Sequence, residues 1–318
     1  TFTGNMTHGG QPAGGFDIAG SFDSGSKAAS ATVKLMAINQ NLLKAVLDPL
    51  LTGMRLAQGR IDSALALDHQ PAGETKVSGD LSVTDLVILD QSGTIPAVPL
   101  GIATKLDARL SGTPHEGLKL SLPTLSGDLT QSGQKSGSFN VSANFDSKTL
   151  SGDFDVKVAD LDERFIGPFA GNALKPMSLR SILVNVDATG RLNLNASSTV
   201  KADISVDRVV VDDPSGQIPP QPLALKLGLD TEMDKKLIKL NQLVLKLSPT
   251  ERANNELNIR GAIDLTDINA TRANLAITSA GLDVTPYYDL FAGRQAPAAT
   301  PEPAAPPAPK TNEEPPAI

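Results

Sequence analysis

The stretch LALKLGL, from Leu223 to Leu229, alternates strictly between leucine and polar or small residues. Successive side chains of a β-strand point to opposite faces, so this alternation predicts a strand with one apolar face and one wet face. The same period of two recurs along the chain in Leu81–Thr84, Leu118–Leu122, Phe139–Phe145, Phe154–Val158, Ile182–Val186, Leu192–Leu194 and Leu243–Leu247. Clusters of Ser, Gly, Asp and Pro lie between these segments and predict turns. The sequence therefore predicts an antiparallel sheet with water on one side.

A second feature is an internal repeat. Lys76–Leu110 aligns without a gap on Thr199–Met233 at an offset of 123 residues (199 − 76), and 14 of the 35 pairs are identical. A leucine-rich segment, Ile38–Leu51, predicts one short helix per repeat, with counterparts over 161–171 and 282–293. We expect a partial first repeat over 1–75, a second over 76–198, a truncated third over 199–295 and a Pro/Ala-rich disordered linker over 296–318.

The expected fold class is mostly β, an elongated repeated antiparallel β-sheet groove with one short helix per ~123-residue repeat. The side chains on the predicted strands are mostly aliphatic, and aromatic residues are only 3% of the chain. This composition leaves two forms open. The apolar lining stays partly exposed in a groove, or a second sheet closes over it in an aliphatic sandwich.

Composition and charge exclude several classes of function. The net charge of −7 gives no basic stripe for nucleic-acid phosphates, and the absence of Cys excludes disulfides and thiolate chemistry. The three His residues lie in turn-like sequence without a repeated spacing, and no Ser has the surroundings of a nucleophile elbow. We expect no enzyme activity, no cofactor and no metal. The chain starts without Met and ends in a Pro-rich segment, so we expect a fragment of a longer protein.

Several segments resemble the C-terminal repeats of AsmA-family proteins of Gram-negative bacteria. They are Phe16–Asp23 followed by Val33–Leu35, Asp203–Gly216, Pro249–Leu257 and Leu282–Gly293. The likeness covers residues 1 to about 293 and concerns pattern motifs without catalytic signatures. It implies a periplasmic, β-rich body in a parent protein anchored to the inner membrane by an N-terminal segment that is missing here. It also implies a part in outer-membrane homeostasis, through repeated β-grooves that are similar to those of bridge-like lipid-transfer proteins.

The resemblance and the alternation together give a functional hypothesis, a periplasmic lipid-binding or lipid-transfer groove whose partners are phospholipid acyl chains. Each methylene removed from water contributes about 0.8 kcal/mol, so an aliphatic wall holds an acyl chain without specific polar contacts. The alternative is a structural or adhesive repeat protein that spans the periplasm or the cell surface without lipid cargo. The groove candidates are the apolar residues of the alternating segments: Leu81, Val83, Leu118, Leu120, Leu122, Phe139, Val141, Phe154, Val156, Val158, Leu225, Leu227, Leu243 and Leu245.

Overall fold

A computed structural model describes residues 1–51, 53–71, 73–90, 97–113, 116–174, 176–214, 216, 221–267 and 270–291. The chain divides into two units, Thr1–Asp283 and Val284–Ile318. In the second unit, the described residues form helix α3 (Thr285–Phe291). Its first turn is closed by the backbone N–H groups of Tyr287 and Tyr288, which both donate to the carbonyl of Val284.

The described residues of the first unit form fifteen strands, two α-helices and a short 3-10 helix (Asp48–Leu50). In chain order they are β1 (Phe2–His8), β2 (Gln11–Phe22), β3 (Ala29–Asn39), α1 (Gln40–Leu47), β4 (Met54–His69), β5 (Thr75–Asp90), β6 (Leu100–Thr113), β7 (Gly117–Gln131), β8 (Gln134–Asp146), β9 (Ser151–Asp162), α2 (Glu163–Leu174), β10 (Ser178–Asn193), β11 (Ser197–Asp212), β12 (Leu223–Asp234), β13 (Leu237–Leu247), β14 (Glu256–Asp264) and β15 (Arg272–Gly281).

All fifteen strands belong to one antiparallel sheet, and each strand pairs with the next along the chain. At about 4.8 Å between strands, the sheet is on the order of 65 Å across. The prediction of a mostly β fold, with an extended antiparallel sheet and short helices, is confirmed. The sandwich alternative is wrong for the described residues, because every strand lies in the same sheet and no second sheet covers it.

The secondary structure repeats with the offset seen in the sequence. The order β2, β3, α1, β4, β5, β6, β7 recurs as β8, β9, α2, β10, β11, β12, β13, and β14 and β15 begin a third copy. Backbone irregularities recur as well. Ala37 and Asp85 have φ of 54° and 53°, and Asp160 and Arg208, each 123 residues later, both have φ of 54°. Each of these residues lies at a β-bulge where the pairing register shifts.

Helices α1 and α2 occupy the same position in successive repeats. The side chain of Asn39 caps α1 by accepting a hydrogen bond from the backbone N–H of Asn41 (2.9 Å). Asp162 does the same for Arg164 at the start of α2 (3.1 Å). Each helix follows an odd-numbered strand, so both lie at one end of the strands, which we name the helix edge. The opposite ends, joined by hairpin turns such as 23–28 and 147–150, form the turn edge.

The enclosed core of the first unit lies near the helix edge. In α1, Leu43 reaches the surroundings of Gly59 together with Leu56 and Leu86. The buried apolar residues include Ile38, Leu56, Leu100, Leu129, Leu174, Met177 and Leu223. Because the helices cover only this end of the strands, burial decreases toward the turn edge. Within the described residues, no helix is both long and apolar enough to cross a lipid bilayer.

Some sequence predictions need correction. Leu192–Leu194 was expected to be a strand, but β10 ends at Asn193 and Leu194 lies in the following turn. There Asn193 accepts a hydrogen bond from the N–H of Asn195 through its side chain (3.0 Å), which ends the extended backbone. The alternating segments did not include β1, β2, β3, β4, β6, β11, β14 or β15. The predicted linker over 296–318, His115 and residues 91–96 before β6 lie outside the described residues.

Candidate functional site

The pairing register places one apolar residue from nearly every strand in a single row across the sheet. Gly79, in β5, is the member of this row without a side chain. The row runs Phe2, Ile18, Val33, Leu65, Gly79, Leu106, Leu125, Val141, Val156, Ala188, Ala202, Leu229, Leu243, Ile259 and Ile277. Directly paired residues share a face, so this row defines one continuous apolar face from β1 to β15.

The opposite face, which we name the polar face, carries the alternate residues. The neighbouring row includes Asp17, Lys34, Asp80, Lys105, Ser126, Asn140, Lys157, Asp187, Asp203 and Asn258. Lys157 lies between Asp155 and Asp187, with Nζ 3.9 and 4.0 Å from their carboxylates. Such exposed ion pairs stabilise a protein by between zero and about 1 kcal/mol each. This face is therefore an ordinary solvated, charged surface. The apolar face is the one whose composition differs from that of a typical protein surface.

Every predicted groove candidate lies on the apolar face. Val141, Val156 and Leu243 belong to the row that crosses the sheet. The other candidates are paired with apolar-face neighbours or lie at even spacing from them in the same strand: Leu81, Val83, Leu118, Leu120, Leu122, Phe139, Phe154, Val158, Leu225, Leu227 and Leu245. Leu118 and Leu120 are 37% and 45% exposed, and all the others are half-buried. A closed core would bury these residues, so the apolar face is accessible along its length.

Exposure on the apolar face increases from the helix edge to the turn edge. In β6, Leu100 is buried, Leu106 is half-buried and Leu110 is 41% exposed. In β12 the same change occurs between buried Leu223 and Met233, which is 43% exposed. The cause is the position of the helices, which cover the strands at one end only. The face is therefore closed at the helix edge and open at the turn edge.

Comparison of the chain with protein-family models, with curated proteins and with solved structures gives no match. The functional conclusion therefore depends on the geometry and chemistry of the chain itself.

The turn edge contains a large depression, which we name the turn-edge pocket. Its volume is about 870 Å³, and it lies where the hairpins 147–150 and 194–196 close the sheet. Arg109, Lys119 and Arg191 line it from the polar face, since Arg109 and Arg191 belong to one register row with Ser121, Asn144 and Asp153. Its carboxylates are Glu74, Asp146 and Asp153. The pocket thus lies on the polar face and combines charges of both signs.

Local hydrogen bonds fix the carboxylate of Asp146 at the rim of this pocket. It accepts from the backbone N–H groups of Lys148 (2.8 Å) and Thr149 (3.3 Å), and Nζ of Lys119 lies 3.7 Å away. The N–H of Lys148 is the main cause that lowers the pKa of Asp146 below its ordinary value of 3.8. Asp146 is therefore ionised at neutral pH and holds the turn in one conformation.

Other depressions lie on the same polar face. One, of about 700 Å³, is lined by Lys201, Lys226 and Lys246 together with carboxylates. Lys201 is 3.0 Å from Asp230, and Lys246 is 3.3 Å from Glu256. Lys201 and Lys246 are thus paired with carboxylates of the same sheet, which reduces the net charge that could attract a ligand.

Groups that carry out chemistry are sparse in the described residues. His69 lies at the turn edge, where its Nδ1 is 2.8 Å from the hydroxyl of Thr75. Within the described ranges, no group of three or more His, Asp and Glu residues is arranged to hold a metal ion. The arrangement can bind an apolar or amphipathic molecule by burial.

Sequence reasoning missed part of the apolar face. Leu65, Leu110, Phe145 and Met233 belong to it but were not candidates. Phe145 and Leu110 lie in alternating segments, so the period of two was sufficient to find them. Leu65 lies in β4, where two register shifts between Leu56 and Arg60 obscure the alternation. The turn-edge pocket had no local signal, because its charged residues come from separate hairpins.

Proposed function

We propose that this protein binds lipids through their acyl chains on the apolar face of its sheet and acts as a lipid-transfer module. The observation that carries the proposal is the accessible row of apolar side chains that crosses the sheet from β1 to β15, in which β5 contributes Gly79. A monomeric protein rarely exposes a contiguous apolar patch beyond a few hundred Å², and a larger one marks an interaction surface.

The physical basis is burial without directional contacts. Each methylene of an acyl chain that leaves water gains about 0.8 kcal/mol, so a chain lying across several strands is held by many small terms. Leu227 and Leu245, paired across β12 and β13, offer no hydrogen-bond donor in their side chains. A chain on such a surface keeps similar contacts when it moves from one strand to the next, which suits transfer better than storage.

The cellular setting of the proposal comes from the sequence resemblance. The AsmA-like segments support a periplasmic location, in a parent protein anchored to the inner membrane, and a part in outer-membrane homeostasis. The proposal assigns no catalytic residue and no cofactor. A structural or adhesive repeat protein has the same strand alternation, but it has no need of an apolar face that stays accessible across the whole sheet.

The test is native mass spectrometry with lipid extraction on the full chain, purified from a bacterial periplasm without detergent. We expect co-purified phospholipid in near-stoichiometric amount. Leu227→Asp places a carboxylate on the apolar face and should remove the lipid, and Leu245→Asp should do the same. Lys226→Asp is the matched control, because Lys226 neighbours Leu227 but is exposed on the polar face.

Circular dichroism on each variant shows whether the β-sheet persists. A folded wild-type protein without lipid, even after incubation with phospholipid vesicles, would contradict the proposal. It would favour the alternative of a structural or adhesive repeat protein. Equal lipid loss in Lys226→Asp and Leu227→Asp would also contradict it, because the effect would not depend on the face.

A further inference from the structure

The turn edge carries a patch of exposed apolar side chains in the middle of the sheet, which we name the apolar tip. Some of its residues lie at the ends of β6, β7, β8 and β10 on the apolar face, and the others lie in the turns that follow β8 and β10. They are Leu110, Leu118, Leu120, Phe145, Leu192, Leu150 and Leu194, and all are exposed. Since β6 and β10 are four strand spacings apart, the apolar tip is about 19 Å wide.

Hydrogen bonds between the two turns hold the outermost leucines side by side. The backbone N–H of Leu194 donates to the carbonyl of Leu150 (2.9 Å), and Nδ2 of Asn195 donates to the carbonyl of Thr149 (3.2 Å). Leu194 is 68% exposed and Leu150 is 36% exposed. Because the backbone of both turns is already fixed, little conformational freedom is lost when a partner covers these leucines.

The turns do not need leucine at these positions for their own structure. Leu150 has a φ of 51°, in the left-handed region that glycine and asparagine favour. The equivalent residue 123 positions earlier is Lys27, which has a φ of 61°. Leu194 corresponds in the same way to Pro71. The first copy thus forms these turns without the apolar side chains, which indicates that the two leucines have a role at the surface of the second copy.

The chemistry of the apolar tip suits a lipid bilayer better than a protein partner. Its side chains are leucines and one phenylalanine, without the Trp, Tyr and Arg anchors that dominate protein interfaces. Lys148 lies in the same turn as Leu150 and is exposed. Its long stem lets the ammonium group reach lipid phosphates while the leucines lie deeper. The neighbouring carboxylate, Asp146, is held by backbone N–H groups and by Lys119.

The apolar tip is continuous with the rest of the apolar face. In β8, Phe145 is followed at even spacing by Ala143 and then by Val141, which belongs to the row that crosses the sheet. All three side chains lie on the same face. A lipid that leaves a bilayer at the apolar tip would therefore stay in contact with apolar side chains as far as this row.

We propose that the apolar tip docks on the surface of a lipid bilayer, with Leu150 and Leu194 below the headgroups and Lys148 at the level of the phosphates. This inference rests on the proposed function and adds to it the place where lipid passes between membrane and sheet. In this arrangement the turn edge faces the membrane and the helix edge faces away from it.

Fluorescence on the full chain tests the docking. Because the chain has no Cys, a single introduced cysteine can carry an environment-sensitive nitrobenzoxadiazole dye. Ala196→Cys places the dye in the turn beside Leu194. With vesicles of phosphatidylcholine and phosphatidylglycerol, we expect a blue shift of this dye and quenching by spin-labelled lipid. The dye at Ala45→Cys, exposed on α1 at the helix edge, should show neither.

The leucines are tested with Leu150→Asn/Leu194→Asn. Asparagine tolerates a positive φ, so the turn should keep its conformation, and circular dichroism checks the fold. We expect at least a tenfold loss of vesicle binding in a flotation assay, since each leucine no longer leaves water on docking. Co-purified lipid should equal that of the wild type, because the central row is unchanged. The matched control Val46→Asn/Phe169→Asn removes two exposed apolar side chains from α1 and α2 and should bind vesicles like the wild type.

The outcomes separate this docking from the lipid-binding function. A wild-type protein that retains lipid but does not bind vesicles would overturn the docking and leave the function intact, and so would unchanged vesicle binding in the leucine variant. Self-association of the wild type that the leucine variant abolishes, without vesicle binding, would make the apolar tip an interface between two copies. A wild-type protein that binds vesicles through the apolar tip but never retains lipid would overturn the lipid-binding function alone.

Discussion

The ring of Phe139 lies against Gly127 on the neighbouring strand of the apolar face, and the same pair occurs 123 residues earlier as Phe16 against Gly4. A Cβ atom on Gly127 would lie 2.9 Å from Cε1 and Cζ of Phe139, and one on Gly4 would lie 2.7 Å from Cζ of Phe16. The glycines thus let each ring lie along the sheet. The rings become part of an even apolar surface and do not project from it.

Gly4→Ala tests this relationship, because the atoms nearest to the new Cβ are those of the Phe16 ring. The ring must move away, and we expect a local destabilisation of about 1–3 kcal/mol, which is typical of overpacking. Hydrogen exchange of the β1 and β2 amides should accelerate accordingly. Gly4→Ala/Phe16→Leu should recover slow exchange, since leucine leaves room for the methyl group. Gly167→Ala in α2 is the control, because nothing lies within 4 Å of its Cβ position. Fast exchange that persists in the double variant would contradict the ring contact.

The sequence predicted which side chains share a face of the sheet, but it did not predict whether the apolar face is accessible or covered. Alternation from Leu223 to Leu229 and from Phe139 to Phe145 is sufficient to place these side chains on one face, because the strand period is two. The same alternation occurs in an open sheet and in a sandwich, so the accessibility of Leu120 could not be read from it. The bulges had no signal, since Ala37 and Arg208 adopt a left-handed conformation that glycine and asparagine favour. Tertiary pairing overrides their local preference.

The bulge at Ala37 gives a second prediction. Its φ of 54° is unfavourable for a residue with a Cβ, and its N–H donates to Oδ1 of Asp62 (2.8 Å). Ala37→Gly keeps this hydrogen bond and removes the steric cost, so we expect about 1 kcal/mol of added stability, measured by urea unfolding. Ala31→Gly, in a regular part of the same strand, should lower stability because glycine adds chain entropy to the unfolded state. A loss of stability in both variants would show that Ala37 is not strained.

The pH dependence of stability gives a third prediction. In the folded state, the pKa of Asp146 is lowered mainly by the hydrogen bond from the backbone N–H of Lys148. In the equivalent turn 123 residues earlier, the pKa of Asp23 is lowered mainly by the hydrogen bond from the hydroxyl of Ser26. A carboxylate whose folded pKa lies below its unfolded value stabilises the protein above the unfolded value, about 4. That stability is lost as the pH falls through the folded pKa. We expect the urea midpoint to be constant from pH 7 to about 5 and to decrease below about pH 4.

Asp146→Asn removes the ionisation at one of these turns. The variant should be less stable than the wild type at pH 7, and the difference should shrink as the pH falls through the lowered pKa of the folded state, where the wild-type carboxylate also becomes neutral. Asp187→Asn, on the exposed polar face, is a control for the loss of one negative charge. A difference that stays constant between pH 7 and pH 3 would contradict the role of the ionised Asp146.

A polar side chain on the apolar face gives a fourth prediction. Ser63 lies between Leu35 and Leu81 in the pairing register, and its hydroxyl is buried without a hydrogen-bond partner among the described residues. The equivalent position 123 residues later is Val186. Ser63→Val removes the unsatisfied hydroxyl and adds apolar volume, so we expect about 1–2 kcal/mol of added stability and undiminished lipid retention. Ser82→Val, on the polar face next to Leu81, should give no such gain. Equal gains in both variants would point to strand propensity as the cause.

The last strand of the sheet gives a fifth prediction. β15 pairs with β14 on one side only, and from Ala273 to Gly281 it contains neither a charged residue nor a proline. Natural edge strands usually carry such residues, because unpaired backbone groups template pairing with further strands. We therefore expect concentration-dependent self-association of the purified chain, visible by light scattering. Thr278→Lys puts a charge on the exposed edge, opposite the neutral Asn258, and should reduce the association strongly. Val244→Lys, in the sheet interior between Gly228 and Asn258, adds the same charge away from the edge. If Val244→Lys reduces association as much as Thr278→Lys, net charge and not edge pairing controls it.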